Sequence, residues 1–197
     1  MKEIVFASAN RNKLAEVRRI FGPEYNVMLP EDLGFTGNIP ETHETVRENS
    51  EQKARFVWDL FGKSCFSDDT GLEVDALGGA PGVYSARYAG EPSNPARNIE
   101  KLLRELEGVP YEARTARFRC VVSYIENGEL TQFEGICGGH INFAPVEGGG
   151  FGYDPVFVAD GYDCTLAELT MEEKNKISHR GKAMDALVCH LSRNHRQ

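Results

Sequence analysis

Apolar residues recur along this chain with two periods, and the changes of period mark its elements. Ile4 to Ala7 is a short unbroken apolar run, the pattern of a buried strand. After the polar stretch Ser8 to Lys13, the residues Leu14, Val17, Ile20 and Phe21 recur at helical spacing until Gly22-Pro23 stops them. Thr45 and Glu48 stand at capping-box spacing, which predicts a helix that carries Phe56, Val57, Leu60 and Phe61 toward a core as far as Gly62. Ser64 to Ser67 predicts a strand. Asn94 and Pro95 supply an N-cap and a first-turn proline for a third helix, with Ile99, Leu102, Leu103 and Leu106 on one face and an end at Gly108. From Thr115 to Ile125 the pattern alternates. Ala116, Phe118, Cys120, Val122 and Tyr124 fall on one side and Arg117 and Arg119 on the other, as in a half-exposed strand. Asn127-Gly128 signals a hairpin, with Glu129 to Phe143 as the antiparallel partner. A last helix starts at Ser178 and presents Met184, Leu187, Val188 and Leu191. Strands and helices that alternate early, a long hairpin and a closing helix predict an α/β fold around a mixed sheet.

Composition narrows the class. With 197 residues, 41% hydrophobic and 26% charged, the chain has enough apolar material for one domain with a real core. Its net charge of −8 argues against a protein that tracks nucleic acid by neutralising phosphates, and leaves a small anionic ligand possible if a local cation compensates. No apolar run approaches the roughly 18 residues of a membrane helix, and Met1 to Ala7 has no signal-peptide layout, so a cytoplasmic location without membrane partners is expected. Five cysteines without a Cys-x-x-Cys pair predict small buried hydrophobes, with neither disulfides nor zinc.

Five stretches carry candidate chemistry. Ser8 to Lys13 is a strand-to-helix turn whose free backbone N–H groups and lysine suit a phosphate, with Ser8 and Asn10 as further hydrogen-bonding groups; the competing reading is an ordinary helix cap. Asp68-Asp69 stands where an apolar run stops. Adjacent strand residues point to opposite faces, so both carboxylates serve one site only if the strand ends there and the chain turns, which Gly71 permits. Such a pair suits Mg²⁺, which takes one or two carboxylates plus phosphate oxygens and water. Glu41 precedes the second helix, and Lys53, about two turns inside it, is placed to point back. In Gly148 to Pro155 the three glycines imply a close backbone approach or a strained turn, with Phe151 and Tyr153 as a stacking face for a planar base. Lys174, His179 and Arg180 are donors near a helix start, suited to a base edge rich in carbonyl oxygens.

Ser8 to Lys13, Glu41, Glu48-Asn49-Ser50 with Lys53-Ala54, Ser67 to Leu72, Leu77 to Tyr88, Phe151 to Pro155 and Ile177 to Arg180, in this order and spacing, closely resemble the inosine triphosphate pyrophosphatase family. The resemblance covers the chain from the first strand to the last helix. It implies a single domain, 1–197, with an elongated two-lobed α/β fold around a long mixed β-sheet, flanking helices and a central cleft, and a homodimer. The implied activity is hydrolysis of ITP, dITP and XTP to the monophosphate and pyrophosphate with Mg²⁺ (Mn²⁺ as a possible substitute), without nucleic-acid partners. The resemblance also implies Ser8, Asn10, Lys13, Lys53 and Thr70 at the triphosphate, and Glu41 with Asp69 at the metal. Asp69 is then the proposed base, and which of Asp68 and Asp69 ligates stays open. Phe151, Gly152, Tyr153, Asp154, Lys174, His179 and Arg180 would take the purine and sugar. Thr70 stands where the family commonly has serine, and His43 where it frequently has glycine. Two other readings use the same parts: a pyrophosphatase for modified pyrimidines, and a purine-nucleotide sensor without turnover.

Overall fold

The structure, a computed structural model, describes residues 1–194. Its strands are β1 (Lys2–Phe6), β2 (Tyr25–Met28), β3 (Cys65–Val74), β4 (Pro81–Gly82), β5 (Thr115–Glu126), β6 (Glu129–Ile141) and β7 (Phe157–Ala159). Its helices are α1 (Arg11–Phe21), α2 (Val46–Phe61), α3 (Pro95–Glu105), α4 (Met171–Ile177) and α5 (His179–Asn194). The strands form one mixed sheet in the order β2-β1-β3-β5-β6-β7, with β4 paired to β3. β1 is parallel to both β2 and β3, whereas β4 and β7 run antiparallel to their neighbours. The expected α/β class and mixed sheet are thus observed. Among the described residues no helix is long and apolar enough to cross a membrane.

The chain folds as two compact units. The first holds Met1–Asp69, Cys120–Gly135 and the chain from Arg180; the second holds Thr70–Arg119 and Ile136–His179. In the first, Phe6, Phe21 and Phe66 stack at 4.8–5.0 Å among Leu14, Val17, Met184 and Leu187. In the second, Leu102 and Leu106 of the α3 stretch pack with Phe118, Ile141, Phe157 and Leu166.

Local signals explain most boundaries. The backbone N–H of Lys13 donates to Asn10 Oδ1 at 3.1 Å and closes the first turn of α1. The N–H of Glu48 donates to Thr45 Oγ1, whose hydroxyl in turn donates to the Glu48 carboxylate at 2.8 Å, a variant of the expected capping box. Asn94 caps α3, and the hairpin turn places Asn127 and Gly128 at φ 53° and 82°, as a type I′ turn requires.

Three expectations need correction. The strand expected over 64–67 continues to Val74, so Asp68 and Asp69 lie inside β3 and no turn follows them. The strand persists because it pairs with β1 at Cys65 and Phe66 and with β4 at Leu72 and Glu73, while its polar side chains find partners of their own. β5 is half-exposed only over its first residues; from Cys120 to Ile125 both faces are buried. Of the cysteines, Cys65, Cys120 and Cys137 are buried, but Cys164 is half-buried and Cys189 exposed.

Candidate active site

In the first unit, three elements converge on the two aspartates of β3. Asp68 is buried, with 1% of its side chain exposed, and takes Lys13 Nζ at 3.1 Å on both oxygens and Arg180 Nε at 3.0 Å. Burial pushes its carboxyl up, but Lys13, Arg180 and Lys53 together overrule burial and hold it well below the usual carboxylate range. Arg180 also reaches Glu16 at 3.2 Å. Its guanidinium stays charged because Asp68 and Glu16 outweigh the cost of burying it. Glu16 was not singled out from the sequence. Its signal is its position one turn after Lys13 on α1, which puts both on one helix face.

Asp69 behaves differently. Its oxygen accepts from Lys53 Nζ at 2.9 Å, and the same ammonium donates to Glu41 at 2.5 Å. Burial raises its pKa; Lys53 pulls it back, and Glu41 and Asp68 raise it again, leaving it at about 6. Lys53 pays for burial too, yet Asp69, Asp68 and Glu41 together keep it charged and raise its own pKa. One ammonium shared between two carboxylates thus satisfies itself without satisfying Asp69. Adjacent residues on β3 therefore answer to different cations, Asp68 to Lys13 and Arg180, Asp69 to Lys53.

Behind this pairing, two buried hydroxyls tie α2 to β5 and to β3. Ser50 Oγ donates to the Val121 carbonyl at 2.9 Å, and Ser67 Oγ donates to the Ser50 carbonyl at 2.5 Å. The Glu41 loop is tied down by Asn49, which accepts from the His43 N–H at 2.9 Å and donates to its carbonyl at 3.1 Å. Among described non-glycine residues only Asn127 has positive φ, so His43 fits where glycine is frequent without backbone strain.

A cavity of about 310 Å³ opens over this group, lined by Ser8, Lys13, Glu41, Lys53 and Asp68. Ser8 Oγ accepts from the Asn10 N–H at 3.1 Å, so the turn before α1 is itself bonded, and Asn10 serves as the cap. Thr70, next to Asp69 on β3, has a buried hydroxyl oxygen with no hydrogen-bond partner. A buried unpaired hydroxyl is costly unless a ligand satisfies it.

In the second unit, Lys174 Nζ donates to Asp154 at 2.5 Å with both side chains nearly buried, and lies 4.6 Å from the centre of the Phe151 ring. Asp154 also accepts from the Phe151 N–H at 2.9 Å. Gly150 permits this turn: its φ is +85°, and a Cβ there would lie 2.3 Å from Asp154 Oδ2. Gly148 permits a backbone approach, since a Cβ would meet the Ala167 carbonyl oxygen at 2.3 Å. Phe151 is exposed. Tyr153 is not the expected stacking surface, because its ring is buried and its hydroxyl donates to the Ser85 carbonyl at 2.7 Å. Gly152 takes φ +62° between them. His179 is buried with its ring stacked on Phe118 at 4.7 Å.

The Ham1 family model matches residues 4–190. The chain belongs to the Ham1 family. This bears out the resemblance read from the ordered motifs. Among relatives of this family member, proteins named dITP/XTP pyrophosphatase from Bacillus licheniformis and Bacillus subtilis are each 48% identical over 189 residues, covering 95% of this chain and 96% of each relative. Among solved structures, the Staphylococcus aureus Ham1 protein matches with a TM-score of 0.91 and 40% identity over 98% of this chain and 100% of its own.

Proposed function

We propose that this chain hydrolyses dITP, ITP and XTP to the nucleoside monophosphate and pyrophosphate; its Bacillus relatives carry the name dITP/XTP pyrophosphatase. The observation that carries this reading is the convergence of Glu41 and Asp69 on one cationic point, beside a lysine-lined cavity. Two carboxylates aimed at one cation fit a hard divalent ion that completes its shell with phosphate oxygens and water. Among the described residues no group of three or more His, Cys, Asp or Glu is placed to hold a metal, so the remaining ligands would have to come from substrate and water. Glu41 and Asp69 would hold Mg²⁺, or Mn²⁺ in its place, and the ion would offset charge on the polyphosphate.

The residues divide the remaining work. Lys13 and Lys53 balance the triphosphate, the α1 turn at Ser8 and Asn10 orients it, and the unpartnered Thr70 hydroxyl gains a bond from a phosphate oxygen. Asp69 takes a proton from the attacking water, whereas Asp68 stays ionised and positions Lys13 and Arg180. Phe151 stacks on the base, and Lys174, oriented by Asp154, donates to a 6-oxo group where adenine would present an amino donor. Gly152, His179 and Arg180 complete the substrate set implied by the family pattern. The same reading expects a cytoplasmic homodimer.

Pyrophosphate and monophosphate formation from ITP, XTP, GTP and ATP, with Mg²⁺ and with a chelator, tests the proposal. Mg²⁺-dependent cleavage of ITP and XTP far above ATP is expected. Nucleotide binding without cleavage would favour a sensor instead.

A further inference from the structure

The cavity over Lys13 and Lys53 does not end at the lysines. Four of its lining residues, Ser8, Ala9, Gly37 and Ile39, also line an adjoining cavity of about 220 Å³ that extends to Pro30, Phe35 and Thr36. A ligand site of its own starts at about 300 Å³, so this space is an annex of the first cavity. The character of the wall changes where the two meet. The first part carries Lys13, Lys53, Glu41 and Asp68, whereas the annex has one charged lining residue, Glu31, already paired to Arg11 at 2.9 Å.

The annex wall is preformed. Phe35 lies edge-on to Phe56 with centroids 5.5 Å apart, and its ring folds back over Gly37 so closely that a Cβ there would lie 2.7 Å from it. The loop beneath is fixed by the Leu29 N–H donating to Asp32 at 2.8 Å and the Phe35 N–H donating to the Pro30 carbonyl at 3.0 Å. A fixed apolar wall with an aromatic face suits an uncharged planar group.

We propose that the annex binds an aromatic group carried on the terminal phosphate, so that the enzyme also accepts dinucleoside polyphosphates whose second base lies against Phe35. This rests on the reading of the lysine-lined cavity as the triphosphate site. The base being released as monophosphate is assigned to Phe151 and Lys174, neither of which lines the annex. Its occupant is therefore carried by the leaving group. Chemistry is unchanged: an oxygen of water bonds to the α-phosphorus, the bond to the bridging oxygen breaks, and the substituted pyrophosphate departs with that electron pair. Water's proton passes to Asp69.

The test compares ITP with its γ-phenyl and γ-methyl esters, which carry equal charge. The phenyl ester should give kcat/KM at least fivefold above the methyl ester, with phenyl pyrophosphate and IMP as products. Thr36→Trp, which fills the annex from its exposed rim, should abolish that advantage and leave ITP hydrolysis within twofold. A phenyl ester no better than the methyl ester, or an advantage that survives Thr36→Trp, overturns the proposal while ITP cleavage stands. Failure to cleave ITP overturns the pyrophosphatase reading and this inference with it.

Discussion

Lys53 and Asp69 form a 2.9 Å ion pair in which burial, rather than the pair, decides the carboxyl's affinity for protons. The ammonium is shared with Glu41, so Asp69 carries its negative charge at a cost to the fold.

The first prediction concerns that cost. Asp69 is raised from the ordinary 3.8 to about 6, so between those values the folded chain holds more protons than the unfolded one and stability falls as pH rises, with the full deficit above pH 6. A shift of about two units amounts to about 3 kcal/mol. Asp69→Asn keeps a hydrogen-bond acceptor for Lys53 and removes the buried charge. It should lower kcat at least a thousandfold, yet raise metal-free stability about twice as much at pH 8 as at pH 5, where roughly half of the deficit has accrued. Urea unfolding at both pH values checks this; equal effects at the two pH values would show that the charge is not the cause.

Divalent-ion affinity should be proton-linked through the same group. A carboxyl must lose its proton to ligate, so Mg²⁺ affinity should fall about tenfold per pH unit below pH 6 and level off above it. Calorimetric titration at pH 5, 6 and 7.5 reads the slope. A flat profile would remove Asp69 from the metal.

Asp68 should behave oppositely. Its folded-state pKa lies below the unfolded value of about 4, so its stabilisation is present above pH 4 and is lost as pH falls through the folded value. Asp68→Asn leaves Arg180 with Glu16 and strips Lys13 of its carboxylate, and breaking such a buried pair costs about 3 kcal/mol. The variant should be destabilised at pH 7 and lose part of the wild-type acid limb below pH 4, as denaturant midpoints across pH would record.

What the sequence revealed was what is local. Thr45, Asn94 and Asn127-Gly128 announce their elements because a cap or a two-residue turn is decided within four residues. The aspartate pair stands out in the sequence but reads as a turn, because a polar stretch looks like a strand's end until its partners are known. Those partners are far away: Arg180 meets Asp68 across 112 residues of sequence, and Ser50 meets Ser67 across 17. Tyr153 and Phe151 look alike in the sequence, and only packing shows that Tyr153 is buried against the Ser85 carbonyl while Phe151 faces solvent.

Lys174 offers the sharpest test of base selection. Its ammonium is fixed by Asp154 and covers the Phe151 ring, so a base stacked on Phe151 would meet a donor whose direction is set in advance. A 6-oxo purine accepts from that donor, whereas adenine's amino group would face it unpaired, and discrimination of this kind reaches several powers of ten. Lys174→Met should therefore cut kcat/KM for ITP about a hundredfold and leave the slow ATP reaction nearly unchanged, so that the ITP/ATP ratio collapses. The same change strands Asp154 with only the Phe151 N–H, so a stability loss of about 2 kcal/mol is expected alongside. Lys174→Arg separates the two effects: it retains a cation for Asp154 and should recover the stability, but its planar fork does not reproduce a point donor, so the ratio should recover only in part. If Lys174→Met lowers ITP and ATP hydrolysis by the same factor, Lys174 supports the fold of this turn and selects nothing.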